Sequence, residues 1–189
     1  MTDLGFDGFY RLASSRRSNI NIDGERKVDR ATLERLCYLI QLAPNHRRTW
    51  PWRVAVFEGE SRGRLGNCIS EAMKENGVDA GRAEKARTKY FRAPAIIVVG
   101  TGSGGNDLET LENKDAVAAG VQNLLLGATS LSMATLWSSC DSLAMSAVNQ
   151  ICGFSEDVFV SGIIYLGWPS REVSVPQRPP LDVKYFDLL

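Results

Sequence analysis

The chain has 189 residues, of which 44% are hydrophobic and 23% are charged, a composition typical of a globular protein with one substantial core. We therefore expect a single domain that spans residues 1–189. The 22 basic residues balance 22 acidic ones, so no overall positive charge favours nucleic acid or an anionic membrane surface as a partner. The N-terminus lacks the apolar core of a secretory signal, and no long segment is apolar enough to predict a membrane span.

The cysteine and histidine content argues against a metal site. Cys37, Cys68, Cys140 and Cys152 are widely spaced and form no Cys-x-x-Cys pair, and His46 is the only histidine. Zinc sites need clustered thiolate and imidazole ligands, and small disulfide scaffolds need many paired cysteines. We expect no metal site and a reducing, cytoplasmic location.

A polar loop follows the first predicted helix, Phe6–Ala13. This loop contains Arg16, Arg17 and Ser18. Arginine makes forked, charge-assisted hydrogen bonds and serine adds a hydroxyl donor, so the cluster suits a phosphate group. The loop taken alone favours the alternative of two solvated charges.

The loop from Leu42 to Trp52 lies between a helix capped by Asp29 and a strand predicted over Trp52–Phe57. It holds His46, two prolines, two tryptophans and two adjacent arginines. Loops with rigid rings and cations between firm elements often carry binding residues. A surface turn whose tryptophans fill the core is the alternative, and the loop alone does not separate the two.

Two charged helices, Ser61–Asn76 and Asp79–Tyr90, precede a predicted strand at Ala95–Val99, and we interpret their charges as solvated faces. Gly100–Gly105 then matches the G-x-G-x-x-G pattern of dinucleotide-binding loops. The polar residues after it lack an apolar helical face, and no repeated strand–helix units surround it. A glycine loop is therefore favoured over a phosphate-binding one.

A long helix is predicted over Asn113–Met133, with Gly120 and Gly127 on one ridge. Each interior glycine costs about 1 kcal/mol relative to alanine, so close approach of another element should compensate for them. Packing within the chain and a self-associating interface are the two interpretations.

The C-terminal part is predicted to contain a short strand from Ala134 into a polar turn, a helix at Ser142–Cys152 and a strand at Val158–Gly167 that is buried on both faces. The tail is rich in proline, and its apolar end, Val183–Leu189, should dock on another surface. The irregular alternation of helices and strands predicts a three-layer α/β or α+β domain with helices around one sheet.

Nucleophilic catalysis is poorly supported, because the chain has no Gly-x-Ser-x-Gly elbow. No marked acidic cluster indicates a hydrolase with paired carboxylates. Cations with hydroxyl groups suit a phosphate-bearing cofactor, and tryptophan with proline suits a flat ring. The loops together therefore suggest a nucleotide or a flavin.

Motifs in register across nearly the whole chain resemble the FMN-dependent nitroreductase family, in its short single-domain branch. They are Arg-Arg-Ser, the His46 loop with Pro51-Trp52, Val-Gln-Asn-Leu-Leu-Leu-x-Ala before Leu-Trp, Gly-Ile-Ile-Tyr-Leu-Gly-x-Pro, and Pro-x-Arg-Pro-Pro-Leu. The resemblance implies a three-layer α+β fold, with a central, mostly antiparallel sheet flanked by helices. It also implies an interlocked homodimer with flavin at the interface, built by the long helix and the exchanged tail.

The resemblance further implies which residues contact FMN: Arg16, Arg17, Ser18, His46, Trp50, Ser138, Ser139 and Arg178. The arginines and Ser18 would hold the phosphate, ribityl chain and pyrimidine edge, and the other serines the isoalloxazine. His46 would lie beside the flavin as a possible proton donor. Arg48 and Trp50 replace the family's usual asparagine and glutamine and are expected to line the substrate pocket. Ser138-Ser139-Cys140 replaces Arg-x-Gly.

The function implied is a ping-pong oxidoreductase, in which hydride passes from NADH or NADPH through FMN to a small acceptor such as a nitroaromatic or a quinone. The departures leave two alternatives. One is a flavin-sequestering or flavin-consuming relative without reductase activity, and the other is a non-catalytic binding domain on the same fold.

Overall fold

The computed structural model describes residues 5–186. Its helices are α1 (Phe6–Ser15), α2 (Arg30–Tyr38), α3 (Ser61–Glu75), α4 (Ala80–Thr88), α5 (Asp107–Ser130) and α6 (Met145–Cys152). Its strands are β1 (Ile22–Asp23), β2 (Trp52–Glu58), β3 (Ala95–Thr101), β4 (Ala134–Ser138) and β5 (Phe159–Pro169). Four 3₁₀ turns, at Leu39–Leu42, His46–Arg48, Lys89–Arg92 and Ser142–Ala144, connect these elements. Three predicted helices therefore divide, since α2 and α4 each pass into a 3₁₀ turn and the last turn precedes α6.

The five described strands form one antiparallel sheet. β3 pairs with β2 on one side and with β5 on the other, and β5 pairs along its far edge with both β4 and β1. The predicted antiparallel sheet is confirmed.

Helices cover both faces of this sheet. Alternate residues of β3 point to opposite faces, so Ile96 and Val98 join one core while Ile97 and Val99 join the other. The first core is closed by α3, α4 and α6, and the second by α2 and α5. All seven residues of β3 are buried, as expected for a central strand with helices on both sides. The three-layer arrangement predicted from the sequence is confirmed.

Helix α5 begins at Asp107, well before the predicted start at Asn113. Asn106 caps it, because its Oδ1 accepts a hydrogen bond of 2.9 Å from the backbone N–H of Glu109. Leu108 and Leu111 of the first turns remain exposed, so the apolar pattern does not mark this start. Asn106, a residue type that favours the N-cap position, was the sequence feature that marks this start.

The glycine-rich segment is not a dinucleotide-binding loop. β3 continues through Thr101 and lies antiparallel to its neighbours. The N–H groups that follow are used within the chain: Gly102 donates to the Pro51 carbonyl, Gly104 to the Thr110 hydroxyl and Gly105 to Glu109. No ring of free N–H groups is left here to cradle a phosphate.

Gly120 and Gly127 allow α5 to pack closely within the chain. A methyl group on Gly120 would collide with the carbonyl oxygen of Ile40, and one on Gly127 would collide with the Leu39 side chain. These contacts support packing within the chain, and the alternative of a self-associating interface stays a prediction. The glycines face the 3₁₀ turn that leads into the His46 loop.

The described part of the C-terminal tail does not cover the protein's own core. Residues 170–186 have no regular secondary structure, and Tyr185 and Phe186 are 85% and 91% exposed. Asp187–Leu189 lie outside the described residues, so docking of the apolar end stays a prediction. Within residues 5–186, no helix combines the length and the apolar character needed to cross a membrane.

We expect Gly120→Ala to lower the free energy of unfolding by about 1–3 kcal/mol, because the fixed backbone of Ile40 occupies the space of the new methyl group. Gly127→Ala is the matched control, since a flexible leucine can move and the gain in helix propensity of about 1 kcal/mol offsets the crowding. Urea unfolding at one protein concentration compares them. Equal losses for both variants would contradict the packing described.

Candidate functional site

The tail arginine and the Arg-Arg-Ser loop lie together in one chain. Arg178 donates from Nη1 to the Ser14 carbonyl at 3.1 Å and from Nη2 to the Arg16 carbonyl at 3.0 Å. Ser18 is exposed beside them. The Arg16 guanidinium has no hydrogen bond or ion pair within residues 5–186. The loop therefore collects positive charge without a carboxylate partner from the described chain.

Arg17 points toward a cavity of about 280 Å³ that Ser15, Asn19, Ser132 and Glu172 also line. Its Nη1 donates to the Ser15 carbonyl at 3.3 Å, but its Nε is buried and has no hydrogen-bond partner among the described residues. A buried donor without an acceptor is costly, so this group fits a ligand that brings one.

Strand β4 connects this cluster to the serine pair. The N–H of Asn19 donates to the Thr135 carbonyl at 2.8 Å, which fixes the Arg-Arg-Ser loop beside the start of β4. Ser138 ends the same strand, about 10 Å farther along by the rise of a β-strand. One extended molecule lying along β4 could therefore contact both ends.

A second cavity, of about 490 Å³, lies at the far end of β4 and is lined by Ser138 and Ser139 together with Arg82, Lys85 and Lys89. Arg82 and Lys85 are exposed, as the interpretation of solvated charges predicts, but the three cations also share the border of this cavity. Their spacing of three and four residues, which places side chains on one helical face, was the signal that could have revealed them.

The charges around this second cavity are unevenly paired. Arg82 forms an ion pair of 3.1 Å with Asp141, whereas Lys85 has no partner among the described residues. Burial lowers the pKa of the Lys89 ammonium. Burial also raises the pKa of the Cys140 thiol to about 11, with a smaller contribution from Asp141, so Cys140 is a neutral thiol near pH 7. The cavity thus offers cations and hydroxyls but no reactive thiolate.

A hydrogen-bond network organises the His46 loop. The Oδ1 of Asn45 accepts from the Trp50 N–H at 2.9 Å, and its Nδ2 donates to the Thr49 hydroxyl at 3.1 Å. That hydroxyl donates to Asn113 at 2.5 Å, and Asn113 in turn donates to the Gly102 carbonyl. The network ties the loop to Asn113, a buried residue in the first half of α5.

The same loop has three non-glycine residues in the left-handed backbone region: Arg47 (φ 59°), Arg48 (φ 55°) and Trp50 (φ 50°). Such conformations cost on the order of 1–3 kcal/mol each and persist when the surroundings impose them. Trp50 is 56% exposed, whereas Trp52 packs against the core between the sheet, α2 and α5. Of the two tryptophans, only Trp52 fits the core-filling interpretation.

His46 points toward the start of α5. Its Nδ1 lies 2.9 Å from the Oε2 of Glu112, although this buried oxygen makes no hydrogen bond of good geometry. The imidazole is 63% exposed, so its other edge remains open to a ligand. Glu112 therefore lies against one side of the ring.

The predicted site residues fall at two ends of α5. His46 contacts Glu112 near its start, and Thr129 near its end lines the Arg17 cavity. Glu112 and Thr129 are about 26 Å apart along a helix that rises 1.5 Å per residue. The chain thus brings together Arg16, Arg17, Ser18 and Arg178, and joins Ser138 and Ser139 to them through β4. It does not bring His46, Arg48 or Trp50 to them.

This fold and these polar loops define a protein of the nitroreductase-like class. The chain belongs to the nitroreductase family, whose model matches residues 13–168. YdjA of Escherichia coli (strain K12), provisionally assigned as an NAD(P)H nitroreductase, is 30% identical over 149 residues, which cover 76% of this chain and 81% of YdjA. The resemblance seen in the sequence motifs is confirmed.

Solved structures share this fold. The nitroreductase-like family protein from Bacillus cereus superposes with a TM-score of 0.80 at 22% identity, covering 95% of this chain and 94% of that protein. The FMN-dependent nitroreductase NfnB from Mycobacterium smegmatis, solved in complex with NADPH, superposes with a TM-score of 0.73 at 18% identity, covering 90% and 94%. At these identities, both comparisons concern the fold.

We expect Thr49→Val to lower the free energy of unfolding by about 1–3 kcal/mol, since the isosteric change leaves the buried Asn113 amide oxygen without its donor. Thr88→Val on α4 is the matched control, because Thr88 is exposed and its side chain makes no hydrogen bond among the described residues. Denaturant unfolding followed by tryptophan fluorescence measures both. If the two variants are equally stable, the network does not hold the loop.

Proposed function

We propose that this protein is an FMN-dependent oxidoreductase that uses NADH or NADPH to reduce a small acceptor, such as a nitroaromatic compound or a quinone. The cluster of guanidinium groups of Arg16, Arg17 and Arg178, which has no carboxylate partner among the described residues, carries the proposal in a chain of the nitroreductase family. YdjA, provisionally assigned as an NAD(P)H nitroreductase, and NfnB, described as FMN-dependent and bound to NADPH, support it. When bound, FMN supplies the redox chemistry, which the side chains of the protein lack.

The residues at the start of β4 fit the phosphate of this cofactor. A phosphate carries the negative charge that Arg16 and Arg178 lack, and the acceptor oxygen that the buried Nε of Arg17 lacks, within the described chain. Ser18 adds a hydroxyl donor. We propose that these four residues hold the phosphate and its adjoining chain.

The residues at the end of β4 fit the polar edge of the flavin ring. Ser138 and Ser139 offer hydroxyl groups, and Lys85 and Lys89 place positive charge in the same cavity. Hydrogen-bond donors and cations at this edge would favour added negative charge on the ring and tune its electron affinity. The departure to Ser138-Ser139-Cys140 therefore leaves α4 and the 3₁₀ turn that follows it to supply the cations.

A second copy of the chain would complete the site. His46 and Trp50 lie too far from Arg17 within one chain to contact the same cofactor, so we propose a homodimer in which the partner contributes this loop. An open apolar groove of about 490 Å³ supports self-association and is lined by Phe9, Leu12, Leu36, Leu39, Leu42, Leu126 and Leu131. The exposed apolar tail offers a further segment for the partner to bury.

His46 and Trp50 have separate roles in this proposal. Trp50 would stack on a flat ring and exclude water beside it. His46 would supply a proton to the acceptor, with Glu112 orienting its ring from the Nδ1 side. Unchanged pH dependence of turnover in His46→Ala would remove His46 from that role.

We expect the purified protein to bind FMN and to show a flavin visible spectrum. Arg16→Ala and Arg178→Ala should each weaken FMN binding about tenfold or more, because each removes a charge-assisted contact to phosphate. Arg64→Ala, an exposed arginine on α3, is the control and should bind like the wild type. Titration of FMN fluorescence measures the dissociation constants. A protein that stays colourless with added FMN would reject the proposed cofactor.

Reductase activity has its own assay, the oxidation of NADH or NADPH in the presence of a quinone or nitroaromatic acceptor. FMN binding without such turnover would favour the flavin-sequestering or flavin-consuming alternative. Absence of both would favour a binding domain without flavin.

The shared site predicts complementation between two defective chains. Each site takes its arginine loop from one chain and its His46 loop from the other. In a mixed dimer, one chain carries Arg16→Ala and the other carries His46→Ala/Trp50→Ala. Both defects then fall in the same site, and the second site stays intact. Co-expression with two affinity tags isolates this dimer, which should show about half of the wild-type activity. The control pairs Arg16→Ala with a chain that carries all three substitutions, and it should stay inactive. Equal inactivity of both mixtures would place each site within one chain.

A further inference from the structure

The tip of the His46 loop presents two free cations beside an aromatic ring. Arg47 and Arg48 are exposed, and neither guanidinium has a hydrogen bond or ion pair among the described residues. The contact with a carboxylate that this loop makes within residues 5–186 joins the Nδ1 of His46 to Glu112 and uses neither arginine. Arg53, the next arginine along the chain, is used differently, because it donates to the carbonyls of Trp50 and Trp52.

The surrounding structure holds these exposed side chains in place. Arg47, Arg48 and Trp50 all have positive φ, while Asn45, Thr49 and Asn113 hold the backbone between them through hydrogen bonds. Backbone strain that the surrounding hydrogen bonds maintain tends to coincide with a binding or catalytic role. A loop that served only to connect α2 to β2 would have no need to hold three bulky residues in this region.

From this geometry we propose that Arg47, Arg48 and Trp50 select the electron acceptor, and that the preferred acceptor is a flat aromatic compound bearing a negatively charged group, such as a carboxylate. The indole stacks on the ring, and the guanidinium groups pair with the anionic substituent. The proposal rests on the proposed function, since it places the loop over the flavin of the partner subunit. To that function the proposal adds a class of substrate and a role for Arg47, neither of which the family resemblance assigned.

Two other anionic ligands fit these observations less well. A polyanion such as nucleic acid would be favoured by an overall positive charge, and this chain has none. The phosphates of NADPH are anionic, but they are joined to the nicotinamide through flexible ribose units, whereas Trp50 stands within two residues of Arg48. That spacing suits an anionic group attached directly to the stacked ring.

The test compares two acceptors of the same shape, 4-nitrobenzoate and its neutral amide, 4-nitrobenzamide. The wild type should show a ratio of kcat/KM for the benzoate over the amide of about ten or more, arising mainly from KM. In Arg47→Gln/Arg48→Gln this ratio should fall to about one. Arg64→Gln/Lys74→Gln on α3 removes the same charge from another surface and should keep the wild-type ratio. High salt should lower the wild-type ratio, since the loop is exposed.

Calorimetric titration of the FMN-loaded protein with benzoate and benzamide gives a second readout that needs no turnover. Benzoate should bind about tenfold more tightly than benzamide to the wild type, and equally to Arg47→Gln/Arg48→Gln. Trp50→Ala should weaken both ligands. A protein that binds FMN and oxidises NADPH but prefers neither ligand would overturn the substrate class and leave the proposed function standing. Failure to bind FMN would overturn both.

Two further outcomes would also reject the inference. A change in the KM for NADPH with no change in the acceptor ratio would assign the guanidinium groups to the reductant. Dissociation of the Arg47→Gln/Arg48→Gln dimer on a sizing column would assign them to contacts between subunits.

Discussion

The close packing of helix α5 against the 3₁₀ turn at Leu39–Leu42 constrains the rest of this structure. At Gly120 the helix backbone approaches the carbonyl of Ile40 so closely that a methyl group has no room. That contact fixes the turn, and the turn delivers the chain into the His46 loop at the start of α5. The other end of the same helix borders the Arg17 cavity. The length of α5 therefore sets the separation of the two polar loops, and this separation is why a single chain does not complete the proposed site.

Positive charge is concentrated beside β4 although the net charge of the chain is zero. Arg16, Arg178 and Lys85 lack carboxylate partners in the described chain, while other cations, such as Arg82 and Arg30, are paired. Unpaired cations that converge beside a strand repel one another, and an anionic ligand relieves that repulsion. β4 arranges them in a line, with guanidinium groups at its start and ammonium groups at its end. An elongated cofactor with a phosphate at one end and a polar ring at the other matches that order.

The His46 loop shows how a rigid scaffold supports a strained segment. The conformational free energy of the three left-handed residues is offset by hydrogen bonds that lead to Asn113, a buried residue of α5. Because α5 is anchored in the core by Val117, Val121 and Leu124, the loop tip has a firm base although its side chains are exposed. Rigid backbone with exposed side chains is an arrangement that suits recognition of a small ligand.

The sequence by itself determined the layers, the central strands and the family, because alternating and continuous apolar patterns report burial and because the motifs lie in register over the whole chain. It also identified most candidate residues of the site, since arginine, serine and tryptophan at element ends have few structural reasons to cluster. Only the tertiary structure decided which of them meet. Arg178 reaches the Arg16 loop across most of the chain, Lys85 and Lys89 turn out to face Ser138, and Gly120 packs inside the chain. Such contacts join residues far apart in sequence, and local periodicity contains no information about the distance that α5 places between the two loops.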